Sequence, residues 1–244
     1  MNEDLANIQY SPILNYNYAQ WFQEVKYNGK TLTESEKKEL VSIIDVTIAH
    51  NTEGLNIAHN NLEYAKGQDG NYYEIYNTVV SVLLFVLMSM NDSMVAAKYF
   101  LLAESDYEKR FMRGKLFVIL NEGFKRLYGF EKKTHKNSEW DRLLPHMRYF
   151  PEVIYRQYQK LTCHLEKHAH SSSWWMEERN LETHMDAEKL YASRQEDIVE
   201  SKVMMDSMKL FSTLIAVNNF FSNMHTCLYN FLVTKYKRGE LKDE

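Results

Sequence analysis

Proline is almost missing from this chain: 3 residues in 244, with only 8 glycines. An all-β protein built of many short strands needs far more turn formers, so long helices are expected. Cysteine is equally scarce. Cys163 and Cys227 are the only two, and neither sits in a C-x-x-C pair. That pattern excludes a disulfide-dependent secreted scaffold and reads as two buried, reduced thiols in helices. Neither charge sign dominates. Lys and Arg number 29 against 33 Asp and Glu, a formal charge of −4. A chain that coats nucleic acid through bulk charge is excluded, whereas a local basic patch is not.

Long apolar runs are missing too. The most apolar stretch, Val79–Met90, covers 12 residues, and a membrane span needs about 20. It reads as the central helix of a soluble bundle, apolar nearly all round because it is buried nearly all round, and no membrane partner is expected. Met1–Gln9 has neither a basic start nor an apolar core, so no signal peptide is expected and a cytoplasmic location follows. No Gly-rich phosphate loop, G-x-S-x-G elbow or dinucleotide fingerprint occurs, and no cofactor is expected.

What remains, 45% hydrophobic and 25% charged residues, suits one large folded domain. Residues 1–32, with Tyr10, Tyr16, Tyr18, Trp21 and Phe22, read as an arm packed on the body. Residues 33–238 read as a single all-α domain and 239–244 as a flexible tail. Thr33-Glu-Ser-Glu36 and Ser105-Asp-Tyr-Glu108 are capping boxes, in which hydroxyl and carboxylate each satisfy an orphan amide of a first helical turn. The first opens a helix to Gly67, with a kink allowed at Gly54; the second opens one to Tyr128, closed by Gly129. Between them a helix from Tyr72 to Met90 is expected to give way, at Asp92-Ser93, to a fresh cap and a short helix. A charged loop at 130–137 and a short helix at 138–148, interrupted by Pro145, come next. A helix over 152–169, a break at 171–173 and another near Ser193 precede a long apolar stripe from Val203 to Leu232. The fold class is all-α, an antiparallel bundle of about five to seven helices.

The sharpest local motif is Arg179-Asn180-Leu181-Glu182-Thr183-His184, an R-N-x3-H sequence at the head of a helix. On a helix Asn180 and His184 share a face, so the amide can orient the imidazole. Arg179 and His184 flank a groove, roughly 140° apart around the axis. His184 can move protons near neutral pH, and Arg179 offers a planar fork matched to phosphate oxygens. Cleaving RNA without metal needs a base for the 2′-hydroxyl, an acid for the 5′-oxygen and a cation beside the phosphorane. The motif and the all-α pattern resemble the HEPN superfamily. That resemblance implies metal-independent RNA cleavage by Arg179, Asn180 and His184, with two motifs meeting across a homodimer. It also implies a role in toxin–antitoxin or phage-defence systems, hence an antitoxin-like protein partner.

Charge near the motif opposes phosphate: nine acids against four bases lie between Glu177 and Asp206. The stretch from Lys109 to Lys167 compensates, with 14 basic against 6 acidic residues, 14 − 6 = +8. Lys109, Arg110, Arg113, Lys132 and Lys133 are the expected RNA track, set against an ordinary solvated helix face. His164 and His168, one turn apart, have the spacing of metal ligands or of polar histidines at a helix end. Trp174-Trp175 reads as core or as a base-stacking pair. A non-catalytic helical interaction module and a metal-binding protein using His164 and His168 are the competing functional readings.

Overall fold

The computed structural model describes residues 31–68, 70–130, 135–147, 150–171, 180–183, 187–193 and 197–241. Most of the N-terminal arm, the lysines at 132 and 133, Trp174, Trp175, Arg179 and His184 lie outside the described residues. All regular structure among those described is helical: α1 (Glu34–Lys66), α2 (Asn71–Leu102), α3 (Asp106–Leu127), α4 (Glu139–Met147), α5 (Glu152–Ser171), α6 (Ala187–Ser193) and α7 (Glu200–Lys237). A separate helical segment covers residues 180–183.

Both capping boxes form. The Glu36 amide donates to Thr33 Oγ1 at 3.3 Å, and the Thr33 amide donates back to Glu36 Oε2 at 2.7 Å. Ser105 and Glu108 repeat the exchange at 2.9 and 3.2 Å. Gly129 takes a φ of 85° just beyond α3, a left-handed conformation that glycine adopts without strain.

Cross-links between helices set their directions. Asp45 pairs with Lys98, and Asn91 donates to Thr52, so α1 and α2 run antiparallel. Arg126 stands over the Phe85 ring at 4.7 Å while Gly123 faces Ser89, which makes α3 antiparallel to α2. Tyr76 meets His225 and Tyr72 meets Phe231, so α7 is antiparallel to α2 as well. The centre of the bundle is therefore α2, with Val79, Val80, Val86 and Phe100 fully enclosed. By length and composition α2 could cross a membrane, but 67% of its most apolar window is buried inside the protein. Trp140 fastens α4 to α5 and α7. It stacks on Tyr158 at 4.7 Å, meets Phe221 edge-on at 5.9 Å, and its indole N–H donates to Thr162 Oγ1 at 3.0 Å.

Four sequence expectations need correction. The helix expected to stop near Met90 continues through Asn91, Asp92 and Ser93 to Leu102, because the Ser93 hydroxyl donates to the Ser89 carbonyl at 2.7 Å instead of capping a new helix. Gly54 lies within α1 and does not divide it. Pro145 lies inside α4 without ending it, two residues before that helix closes. Cys163 is exposed on α5, although Cys227 is buried as expected, and neither forms a disulfide. At the C-terminus, Glu240 folds back onto Lys235 and Leu241 packs on the core, so only residues 242–244 of the expected tail fall outside the description.

One polar contact stands out within this apolar frame. The Glu200 side chain, in the first turn of α7, is only 2% exposed, and its Oε1 lies 3.0 Å from both Lys37 Nζ of α1 and Lys109 Nζ of α3. Burial pushes the Glu200 carboxyl up, but the two ammoniums more than offset this and hold it below its ordinary value of 4.5. A carboxylate with a depressed folded pKa contributes stability that is present above its unfolded pKa and lost as pH falls through the folded one. Glu200→Gln should therefore cost about 3 kcal/mol in urea unfolding at pH 7, since it leaves two ammoniums uncompensated. The difference from wild type should shrink as the pH is lowered below about 4.5.

Candidate nucleic-acid interface

The first turn of α3 carries the expected RNA track, and the structure divides its residues. Lys109 is 18% exposed and its ammonium is spent on Glu200, so it serves as a strut between helices and not as a phosphate contact. Arg110 and Arg113 remain on the partly exposed side of α3, each engaged in further polar or ring contacts. Lys115 holds its ammonium 5.0 Å from the Phe111 ring centroid, a cation–π contact at the surface. The lysines at 132 and 133 lie outside the described residues.

Opposite α3 is the motif segment. Gly114 has no Cβ, and the Glu182 side chain fills that space: a Cβ there would fall 2.1 Å from Glu182 Oε1 and 2.7 Å from its Cγ. The 180–183 turn is thereby seated on α3 next to Arg113. Asn180 is exposed at the head of this turn and has partners of its own. Arg179 and His184, the other two expected catalytic residues, lie outside the described residues.

A groove of about 580 Å³ opens where α2 turns into α3. Its walls are Tyr99, Leu102, Tyr107, Phe111 and Met112, with Glu104 and Glu108 at the polar edge. Tyr99, Tyr107 and Phe111 are 56%, 69% and 42% exposed, an unusual display of large rings. Glu108 is engaged with Ser105, and the hydrogen bonds from the Ser105 backbone and hydroxyl hold its carboxyl below the ordinary range. Sequence reading missed this groove. The signal was available in Tyr107, Phe111 and Lys115, spaced i, i+4, i+8 on one helix face.

The histidine pair divides as well. His164 Nε2 lies 3.1 Å from Thr213 Oγ1 of α7. His168 packs on the Phe124 ring at 5.1 Å. Burial, with a smaller contribution from His164, brings the His168 pKa down to about 4. Among the described residues no group of three His, Cys, Asp or Glu side chains is placed to hold a metal ion. His50, His59 and His225 lie on apolar helices, where satisfied core or boundary histidines are expected; His225 is partly buried and hydrogen-bonded, whereas His50 and His59 are exposed.

Comparison with known proteins gives no match to any family model, to any curated protein or to any solved structure.

Two outcomes follow from this geometry. Gly114→Ala should raise intrinsic helix propensity by about 1 kcal/mol yet push Glu182 off α3, so amide exchange at 180–183 should accelerate while Tm is not lowered. Adding Glu182→Ala should restore slow exchange, because the three atoms nearest the new Cβ all belong to that side chain. His168 is held neutral in the folded state, so the unfolded chain binds the extra proton between about pH 6.5 and 4. Wild-type stability should fall as pH drops through that window and then level off, and His168→Phe should flatten the profile of urea midpoint against pH.

Proposed function

We propose that the chain is an HEPN-like RNA-handling protein of the cytoplasm that cleaves RNA without a metal ion. One observation supports this above the others: the motif-bearing turn is seated on α3 through Gly114 and Glu182, on the helix that also presents Arg110, Arg113 and the aromatic groove. Exposed rings beside cations form a surface on which single-stranded bases stack while the backbone is neutralised. In this reading Arg179 binds the scissile phosphate and Asn180 orients the catalytic imidazole. His184 takes the 2′-hydroxyl proton, the 2′-oxygen attacks phosphorus, and the bond to the 5′-oxygen breaks. The products are a 2′,3′-cyclic phosphate and a 5′-hydroxyl end. A single chain offers one motif imidazole, and a homodimer offers the second as the acid for the leaving oxygen. An antitoxin-like protein would then be the natural regulator.

The same groove favours a second reading. Exposed Tyr99, Leu102, Tyr107 and Phe111 also suit a non-catalytic helical module that binds protein through this corner.

An RNA cleavage assay separates the two. Mixed-sequence RNA incubated with the full chain in excess EDTA should yield cyclic-phosphate ends, and His184→Ala should slow cleavage at least about 100-fold. Arg110→Ala with Arg113→Ala should weaken RNA binding across all sequences and reduce its salt dependence by about two charges. Absence of both cleavage and RNA binding would leave the interaction module.

A further inference from the structure

Far from the motif, at the other end of α7, lies a second chamber of about 270 Å³ between α1, α2 and α7. His225 there is about 38 Å along the axis from Glu200. The chamber is a funnel. Tyr73, Tyr76, Ala65 and Leu232 are buried at its floor, while Tyr64, Tyr229 and Tyr236 are 58%, 46% and 49% exposed at its rim. Among the described residues, none with a formal charge lines it. Its volume sits at the low end for ligand sites, which suits a single small ring system.

The floor is polar at one point. His225 Nε2 lies 2.9 Å from Tyr76 Oη and 3.2 Å from Asn61 Nδ2. An amide nitrogen only donates, so Nε2 accepts and Nδ1 carries the ring proton. Burial lowers the His225 pKa and keeps this imidazole neutral. Burial, the nearby Tyr229 and, in opposition, the Asn61 hydrogen bond leave the Tyr76 hydroxyl well above its ordinary pKa, so it stays a neutral donor. Asn61, its nitrogen directed at His225, lines the chamber and brings an amide oxygen, an acceptor with two lone pairs, to its wall. The chamber therefore combines π-faces at the rim, an uncharged lining and one amide acceptor.

We infer that this chamber binds a neutral, planar heteroaromatic ring bearing an N–H donor, of nucleobase type. The rim tyrosines stack on its faces, and Asn61 Oδ1 accepts its N–H. An organic cation is disfavoured because no carboxylate among the described residues lines the chamber, and an anion because no described basic group does. The inference does not depend on the ribonuclease reading, since neither Arg179 nor His184 is used.

Titration of the full chain with 9-methyladenine, 9-methylpurine and choline, followed by tyrosine fluorescence and ligand-observed NMR, tests it. 9-Methyladenine should bind at one site per chain, and at least tenfold more tightly than 9-methylpurine, which lacks the exocyclic N–H. Asn61→Leu should erase that difference. Tyr229→Ala, at the exposed rim, should weaken 9-methyladenine at least tenfold with Tm unchanged. Binding of choline in preference to both rings, or binding of neither ring to a folded wild-type chain, overturns the proposal. So does tight 9-methyladenine binding that survives both substitutions.

Discussion

Two lysines, from the first turns of α1 and α3, meet one carboxylate from the first turn of α7, and this contact registers the bundle. Lys37 and Lys109 occupy the same local module. Thr33-Glu-Ser-Glu-Lys37 and Ser105-Asp-Tyr-Glu-Lys109 are both capping boxes followed at once by lysine. Each box fixes its helix start, and each lysine amide then donates to the cap carbonyl, in both cases at 3.0 Å. The caps thus aim the two lysine stems before any tertiary contact forms. A cation at a helix N-terminus is unfavourable against the dipole, whereas Glu200 at the start of α7 is favourable. The ion pair offsets the first effect and gains from the second. Because a buried carboxylate without cations is costly, the three helix starts hold together or separate together.

This constraint reaches the candidate interface through α3. Lys109 anchors that helix, and Gly114, about a turn and a half further on, admits Glu182. The anchored helix is thus the one on which the motif turn rests. It also shows why charge counted along a sequence overstates a nucleic-acid track. Of the +8 excess between Lys109 and Lys167, Lys109 neutralises Glu200. Arg126 and Arg142 both pair with Glu139, Arg156 pairs with Glu152, and Lys115 lies against Phe111. Arg113 adjoins Gly114 and Arg110 lies one turn before it, each already engaged in contacts of its own.

The fold was legible where the chemistry is local. Capping boxes, the glycine after α3 and the buried run in α2 need only neighbouring residues, and each forms as the sequence implies. It was illegible where one residue type serves two purposes. Asn91, Asp92 and Ser93 are good capping residues, yet Ser93 can equally return its proton to the preceding turn and Asn91 can reach Thr52. Pro145 breaks a helix interior, but close to a helix end it forfeits little. The candidate site was legible as a motif and not as a surface. Its aromatic groove arises from a corner between two helices, and only the Tyr107–Phe111–Lys115 face leaves a trace in spacing. The tyrosine chamber leaves none, because its walls come from residues more than 150 positions apart.

The two ends of α7 consequently present different physics to any ligand of the proposed kinds. At its N-terminal end fixed charges dominate, and any polyanion arriving there competes with carboxylates already holding the cations. The RNA binding proposed for that end would be salt-dependent, since it would exchange one set of ion pairs for another. At the C-terminal end the described lining carries no formal charge, burial lowers the His225 pKa and Tyr76 keeps its proton, so no described lining group draws an ion in from a distance. Selection there falls to ring shape and to one amide oxygen. A neutral ring loses little hydration on entry, whereas an ion would surrender its water for π-faces alone. One continuous helix of 38 residues joins these environments, so the same element that requires charge balance at its start requires charge exclusion near its end.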